Sequence, residues 1–233
     1  MTDTYVCVDL ETTGLNPKKD KIIEIGAVKV VRGKKEEIYS SFVNPGRRLE
    51  ERIVELTGIR DADLAEAPDI GGVLPKVIDF LGDFPLLGHS ILFDYSFLKK
   101  AAVDRKLDFE KKGIDTLKIA RKYLASLEHR SLDYLCEYYG IPHQAHRALE
   151  DAEATCTLYG KLAEQFYKEE ESLFCPAPLI FSVKRDTPAT ARQKEALYRL
   201  IKQHKIILDR DVEKLTRSEA SRLTDKIFSE YGR

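Results

Sequence analysis

The chain has no apolar run near the roughly 18 residues needed to span a bilayer, which excludes a helical membrane protein. Its start, Met1 to Leu10, has acids but neither a basic n-region nor a long apolar stretch, so no secretory signal is read and a cytoplasmic protein is expected. Cysteine is scarce: Cys7, Cys136, Cys156 and Cys175 lie at least 19 residues apart with no C-x-x-C pair, which argues against a zinc site and a disulfide framework. Internal repeats and low-complexity tracts are absent. Net charge is also nearly absent, at −1, and by itself names no partner.

What is present is 233 residues with 43 % apolar and 33 % charged side chains, enough for one full domain plus an appendage. The charge is unevenly spread. From Lys184 to Arg233, 13 Lys and Arg face 8 Asp and Glu, a net of +5, which leaves −6 for residues 1–183. An acidic domain can still act on phosphates if its carboxylates hold metal ions, and a basic tail can steer an anion toward it.

Three strands are predicted at Tyr5–Leu10, Ile22–Val31 and Glu36–Val43, joined by short turns and therefore antiparallel. Helical patterns follow at 53–56 and 70–81, then a strand at Leu86–His89, a helix at Asp94–Val103 and a strand near Phe109–Ile114. Helices near Thr116–Tyr123 and Ser131–Tyr139 precede a long amphipathic helix over 147–168. This order predicts an α/β fold with a mixed five-stranded sheet and helices on its faces. Pro176, Pro178 and Pro188 punctuate residues 173–188, read as a linker between a domain over 1–172 and a small basic helical domain over 189–233. In the latter, Thr190/Gln193 and Thr216/Glu219 fit capping boxes that start two helices.

Asp9 and Glu11, two apart at the end of the first strand, share one face and can share an ion. Alone, this D-x-E pair is equally a solvated strand end. The run Val8-Asp9-Leu10-Glu11-Thr12-Thr13-Gly14-Leu15, however, resembles the first motif of the DEDD-type 3′–5′ exonucleases, which include the epsilon proofreading subunit of bacterial DNA polymerase III and ribonuclease T. That family's second motif, H-N-x-x-F-D, is matched by His89-Ser90-Ile91-Leu92-Phe93-Asp94, with Ser90 for the usual Asn. The third, H-x-A-L-x-D-A, is matched by His146 to Ala152, in the spacing of the histidine-using (DEDDh) subgroup. The resemblance covers roughly residues 4–168.

The resemblance implies a ribonuclease-H-like fold and a nuclease in which Asp9, Glu11, Asp94 and Asp151 hold two Mg²⁺ ions, for which Mn²⁺ can substitute. It also implies that Asp9 bridges the ions and that His146 is the general base. The chemistry agrees, because Mg²⁺ prefers hard oxygen ligands and histidine readily exchanges protons near neutral pH. His143 competes for the base role, and His143/His146 can be read as a zinc pair; by spacing it ranks second, as an exposed loop histidine. His89 is read as shaping the loop before Asp94. Thr12, Thr13 and Gly14 would hold the 3′-terminal nucleotide, and Leu15 and Phe93 would meet its base, or else simply pack in the core.

The expected activity is metal-dependent removal of nucleotides from single-stranded 3′ ends, DNA ahead of RNA, in replication or repair. The alternative, a non-catalytic nucleic-acid or polymerase-binding module of the same fold, would lack a ligand or the histidine, and none is lacking. The basic tail is expected to add affinity without chemistry, and a DNA polymerase is a candidate partner. Glu170-Glu171-Ser172-Leu173-Phe174 resembles the Q-L-S-L-F peptide by which replication proteins dock on the sliding clamp; otherwise Leu173 and Phe174 pack the end of the long helix on its own domain.

Overall fold

The computed structural model describes residues 1–208 and 211–232. Asp209, Arg210 and Arg233 of the expected C-terminal domain lie outside the described residues. The first half comprises β1 (Tyr5–Thr12), β2 (Ile22–Val31), β3 (Lys34–Phe42), α1 (Glu51–Thr57), α2 (Asp61–Leu64), α3 (Ile70–Leu81), β4 (Leu86–Gly88) and α4 (Leu92–Asp104). Then come β5 (Lys112–Asp115), α5 (Thr116–Tyr123), α6 (Leu132–Tyr139), α7 (Ala148–Phe166), β6 (Ala177–Pro178), α8 (Ala191–His204) and α9 (Arg217–Tyr231).

The strands form one mixed sheet in the order β3-β2-β1-β4-β5-β6. The first three run antiparallel, while β4 lies parallel to both β1 and β5. Period-two alternation divides β1 between two cores. Val6, Val8 and Leu10 face α3 and α4, whereas Tyr5 and Cys7 face α5, α6 and α7. Asp9 and Glu11 share the parity of Cys7, so both carboxylates lie on the α7 side. On β2, Glu24 and Gly26 share the parity of Val28 and lie on that side too.

The sheet has six strands rather than the five expected. The sixth arises from the proline-rich segment, where Ala177 and Pro178 pair antiparallel with Gly113 and Lys112 and the Leu179 N–H reaches the Lys111 carbonyl at 2.9 Å. Proline is compatible with an edge strand because its missing N–H can face outward. The strand expected near Phe109 begins at Lys112 instead, and Phe109 is buried with its ring stacked on Tyr95 at 5.7 Å.

Phe174 is fully buried, 5.7 Å from the Tyr167 ring, and its carbonyl accepts the Tyr159 hydroxyl at 3.3 Å. Leu173 packs in the same core. The pair therefore closes the end of α7 onto its own domain, the packing given as the alternative to clamp docking, and Phe174 is not presented at the surface.

Both capping boxes form as the sequence suggests, at Thr190/Gln193 for α8 and Thr216/Glu219 for α9. The two helices enclose a small core that includes Leu197, Leu200, Leu215 and Ile227. This C-terminal pair touches the sheet domain through a Lys21–Glu219 ion pair of 2.9 Å, and in the segment before it the Asp186 N–H donates to Asp104 at 2.8 Å.

Candidate active site

Three elements bring acids together. Asp9 and Glu11 project from the end of β1, where the pairing with β2 shifts register between Glu11 and Thr12, the kind of local irregularity that re-aims side chains. Asp151 comes from the first turn of α7, and one carboxylate oxygen from each of Asp9, Glu11 and Asp151 lies within 4.8 Å of the others. Asp94, in the first turn of α4, lies outside that set, and its Oδ1 accepts the Leu10 N–H at 3.1 Å. It is nonetheless a principal repulsive neighbour of Asp9, second only to burial in raising the Asp9 carboxyl.

The approach of α7 depends on a glycine. Gly26 lies opposite Asp9 in the β1–β2 ladder, and a Cβ there would fall 2.1 Å from the Ala148 carbonyl carbon. Only the missing side chain lets the start of α7 settle on β2 and carry Asp151 to the strand acids.

Electrostatically the cluster is over-anionic. Burial pushes Asp9 and Asp94 well up from the usual carboxylate range, and neighbouring acids add to the rise. Burial, Asp151 and Glu24 push Glu11 up to about 8, while Arg147 pulls the other way. Asp151 is also raised by burial, against the opposing pull of His143. Carboxylates held together in this way favour either protons or a bound cation. The donor set fits a hard divalent cation, since it is all oxygen and includes no thiolate.

The histidines do not stand as the spacing suggests. His143 is not an exposed loop residue: its side chain is only 6 % exposed, its Nε2 bonds Asp151 Oδ1 and its Nδ1 lies 3.4 Å from Asp133. His146 donates its backbone N–H to Asp151 Oδ2 at 3.1 Å and adopts a left-handed φ of 65°. Among the described residues its ring has no hydrogen-bond partner, and neither histidine joins the acidic set as a zinc pair. His89 shapes its loop as expected, with Nε2 2.8 Å from the Arg130 carbonyl and Nδ1 2.9 Å from the Thr116 hydroxyl.

In the turn after β1, the Thr12 hydroxyl donates to the Gly14 carbonyl at 2.7 Å, and Thr13 Oγ1 accepts from the Lys21 N–H and from Arg47. Leu15 is 85 % exposed, so it does not belong to the core. Phe93 is half-buried, 5.0 Å from the Phe97 ring.

The motif reading missed Glu24 and Gly26. Both sit in a regular strand, where an acid and a glycine among apolar residues were the available signals.

Acids brought together from the end of β1 and the start of α7, with Asp94 and two histidines alongside on a mixed α/β sheet, form a cluster that could hold a metal ion, the arrangement of a hydrolase site. A family model described as Exonuclease (RNase T) matches residues 6–159, and the chain belongs to that exonuclease family. It is 37 % identical over 166 residues to the DNA polymerase III subunit epsilon of Aquifex aeolicus, covering 70 % of this chain and 82 % of that protein. It is 38 % identical over 174 residues to the PolC-type DNA polymerase III of Oceanobacillus iheyensis, covering 73 % of this chain but 12 % of the polymerase. Among solved structures, exonuclease X in complex with 5′ overhanging duplex DNA aligns with a TM-score of 0.56 and 26 % identity, over 69 % of this chain and 91 % of that one. Exonuclease I shares the fold, with a TM-score of 0.63 at 20 % identity, over 74 % of this chain and 42 % of that one. No helix among the described residues is long and apolar enough to cross a membrane.

Proposed function

We propose that the protein is a 3′–5′ exonuclease that removes nucleotides from single-stranded 3′ ends, DNA in preference to RNA, with two divalent cations held by Asp9, Glu11, Asp94 and Asp151. Mg²⁺ is the expected ion and Mn²⁺ a substitute. The observation that carries this reading is the over-anionic cluster on the α7 side of the sheet, whose carboxyls are raised by burial and by one another. Bound cations would neutralise charge on the scissile phosphate and activate the attacking water.

The chain's own groups supply the rest. His146, tethered to Asp151 through its backbone N–H, leaves its ring free to take the proton of the attacking water. His143 holds Asp151 from the other oxygen. Thr12, Thr13 and Gly14 offer a turn stiffened by Lys21 and Arg47 for the terminal nucleotide. Leu15, exposed at its tip, and the half-buried Phe93 offer apolar surface to a base, a sequence-tolerant contact. Relatives named as DNA polymerase III proteins support DNA as the substrate and a polymerase as partner, in replication or repair.

The test is a time course on 5′-labelled and 3′-labelled DNA and RNA oligonucleotides with Mg²⁺, Mn²⁺ or EDTA. Stepwise shortening from the 3′ end that needs the cation and runs faster on DNA is expected. Shortening from the 5′ end, or equal activity in EDTA, contradicts the proposal.

A further inference from the structure

Glu24 is buried on β2, opposite Glu11 in the strand register, yet it is not one of the three acids whose oxygens converge. Its carboxylate is occupied by the start of α7. Arg147 donates to it from Nη2 at 3.0 Å and from Nε at 3.3 Å, and the Ala148 N–H donates at 3.2 Å. That N–H belongs to the first helical turn, where backbone donors have no partner within the helix and where a negative charge is favoured. Arg147 is held from another side by the Phe42 ring, 5.6 Å from the guanidinium carbon. Two residues along β2 from Glu24, the backbone of Ala148 rests on Gly26. From this anchored turn the chain runs directly to Asp151, whose own N–H is bonded to the Arg147 carbonyl at 2.9 Å.

We infer that Glu24, acting through Arg147 and the Ala148 N–H, is a positioning residue that seats the first turn of α7 on the sheet and so sets where Asp151 stands relative to Asp9 and Glu11. The inference rests on the proposed cation site and deepens it: divalent-cation affinity depends on a carboxylate that is not itself a ligand. Groups behind metal ligands that fix their orientation typically matter 10–100-fold in affinity. Position, rather than charge, is the working quantity. An aspartate at residue 24 keeps the charge and is one methylene too short to reach both donors, whereas a glutamine keeps the reach and one acceptor oxygen and loses the charge and the second acceptor.

The experiment titrates Mn²⁺ into the full-length protein without nucleic acid, by calorimetry, comparing the unaltered chain with Glu24→Asp and Glu24→Gln, each verified as folded by circular dichroism. Glu24→Asp is expected to bind about 10–100-fold more weakly, and Glu24→Gln to lose clearly less. With substrate, the Asp variant should need more cation for half-maximal rate and recover kcat when saturated, which a loss of folded protein would not produce. Arg147→Lys, which keeps the charge but not the two-pronged donor, should weaken Mn²⁺ binding in the same direction and serves if the Asp variant does not fold. Unchanged Mn²⁺ affinity in Glu24→Asp, or a larger loss in Glu24→Gln, overturns the inference and leaves the cation site standing. No Mn²⁺ uptake by the unaltered protein overturns both.

Discussion

The acid cluster and the C-terminal helix pair are held in place in opposite ways. The cluster is fixed by chain segments meeting at the end of β1, through the β1–β2 ladder, the Asp94 bond to Leu10, the Gly26 contact and the paired grip of His143 and the His146 N–H on Asp151. Its acids repel one another. The helix pair has a small core of its own and meets the sheet domain through a partly exposed ion pair, next to a bond from the Asp186 N–H of the preceding segment to Asp104. There the charges attract: burial works against ionisation of Glu219, but Lys21 and the Thr216 donors outweigh it and hold the carboxyl at about 2. Rigid support of a repulsive arrangement is what the proposed cation site requires, and light support of an attractive one fits the proposed accessory role of the helix pair.

The sharpest break of this contrast is Asp9→Asn or Asp151→Asn. Either should lower kcat/KM on a labelled oligonucleotide by about 10³-fold or more, because several kcal/mol of transition-state stabilisation are lost, with the far-UV spectrum unchanged. His146→Ala should cost about 10²- to 10⁴-fold in kcat with little change in Mn²⁺ binding. His143→Ala should cost less, about 10- to 100-fold, and should appear in Mn²⁺ affinity, because His143 bonds the ligand rather than facing solvent. The reverse ranking of the two histidines would exchange their roles.

A gentler probe uses pH. The folded Glu11 carboxyl is raised from 4.5 to about 8, so the native state binds more protons than the unfolded state across that window. Its contribution to stability is therefore greatest below pH 4.5 and is lost as pH rises toward 8. In EDTA, Glu11→Gln should melt a few degrees above the unaltered protein at pH 8 and level with it near pH 4.5, and Mn²⁺ should reverse the order at pH 8. At the accessory end, Glu219→Gln should change hydrolysis of short oligonucleotides by less than about threefold, since a partly exposed ion pair is worth about 0–1 kcal/mol. A large loss there would mean that the helix pair completes the site.

Much of the fold could be read from the sequence because its signals are local. The alternation in β1 and β2, the stripe on α7 and the capping boxes at Thr190 and Thr216 act over a few residues, and the acids sit in contiguous motifs. The features that escaped are set by which element lands on which. Gly26 and Glu24 matter only because α7 crosses β2 at that point, and His143 is buried only because its loop folds back over Asp151. The sixth strand was hidden by prolines that an edge position tolerates. Ser90, which replaces the family's usual Asn, takes a left-handed φ of 73° that Asn adopts more readily, a cost that motif spacing does not reveal.

The most direct test of the central claim is to diffuse Mn²⁺ into crystals of the protein and locate it by anomalous scattering. Two peaks ligated by Asp9, Glu11, Asp94 and Asp151, both lost in Asp9→Asn, are the predicted result. An empty acid cluster in crystals that take up Mn²⁺ at other sites would contradict it.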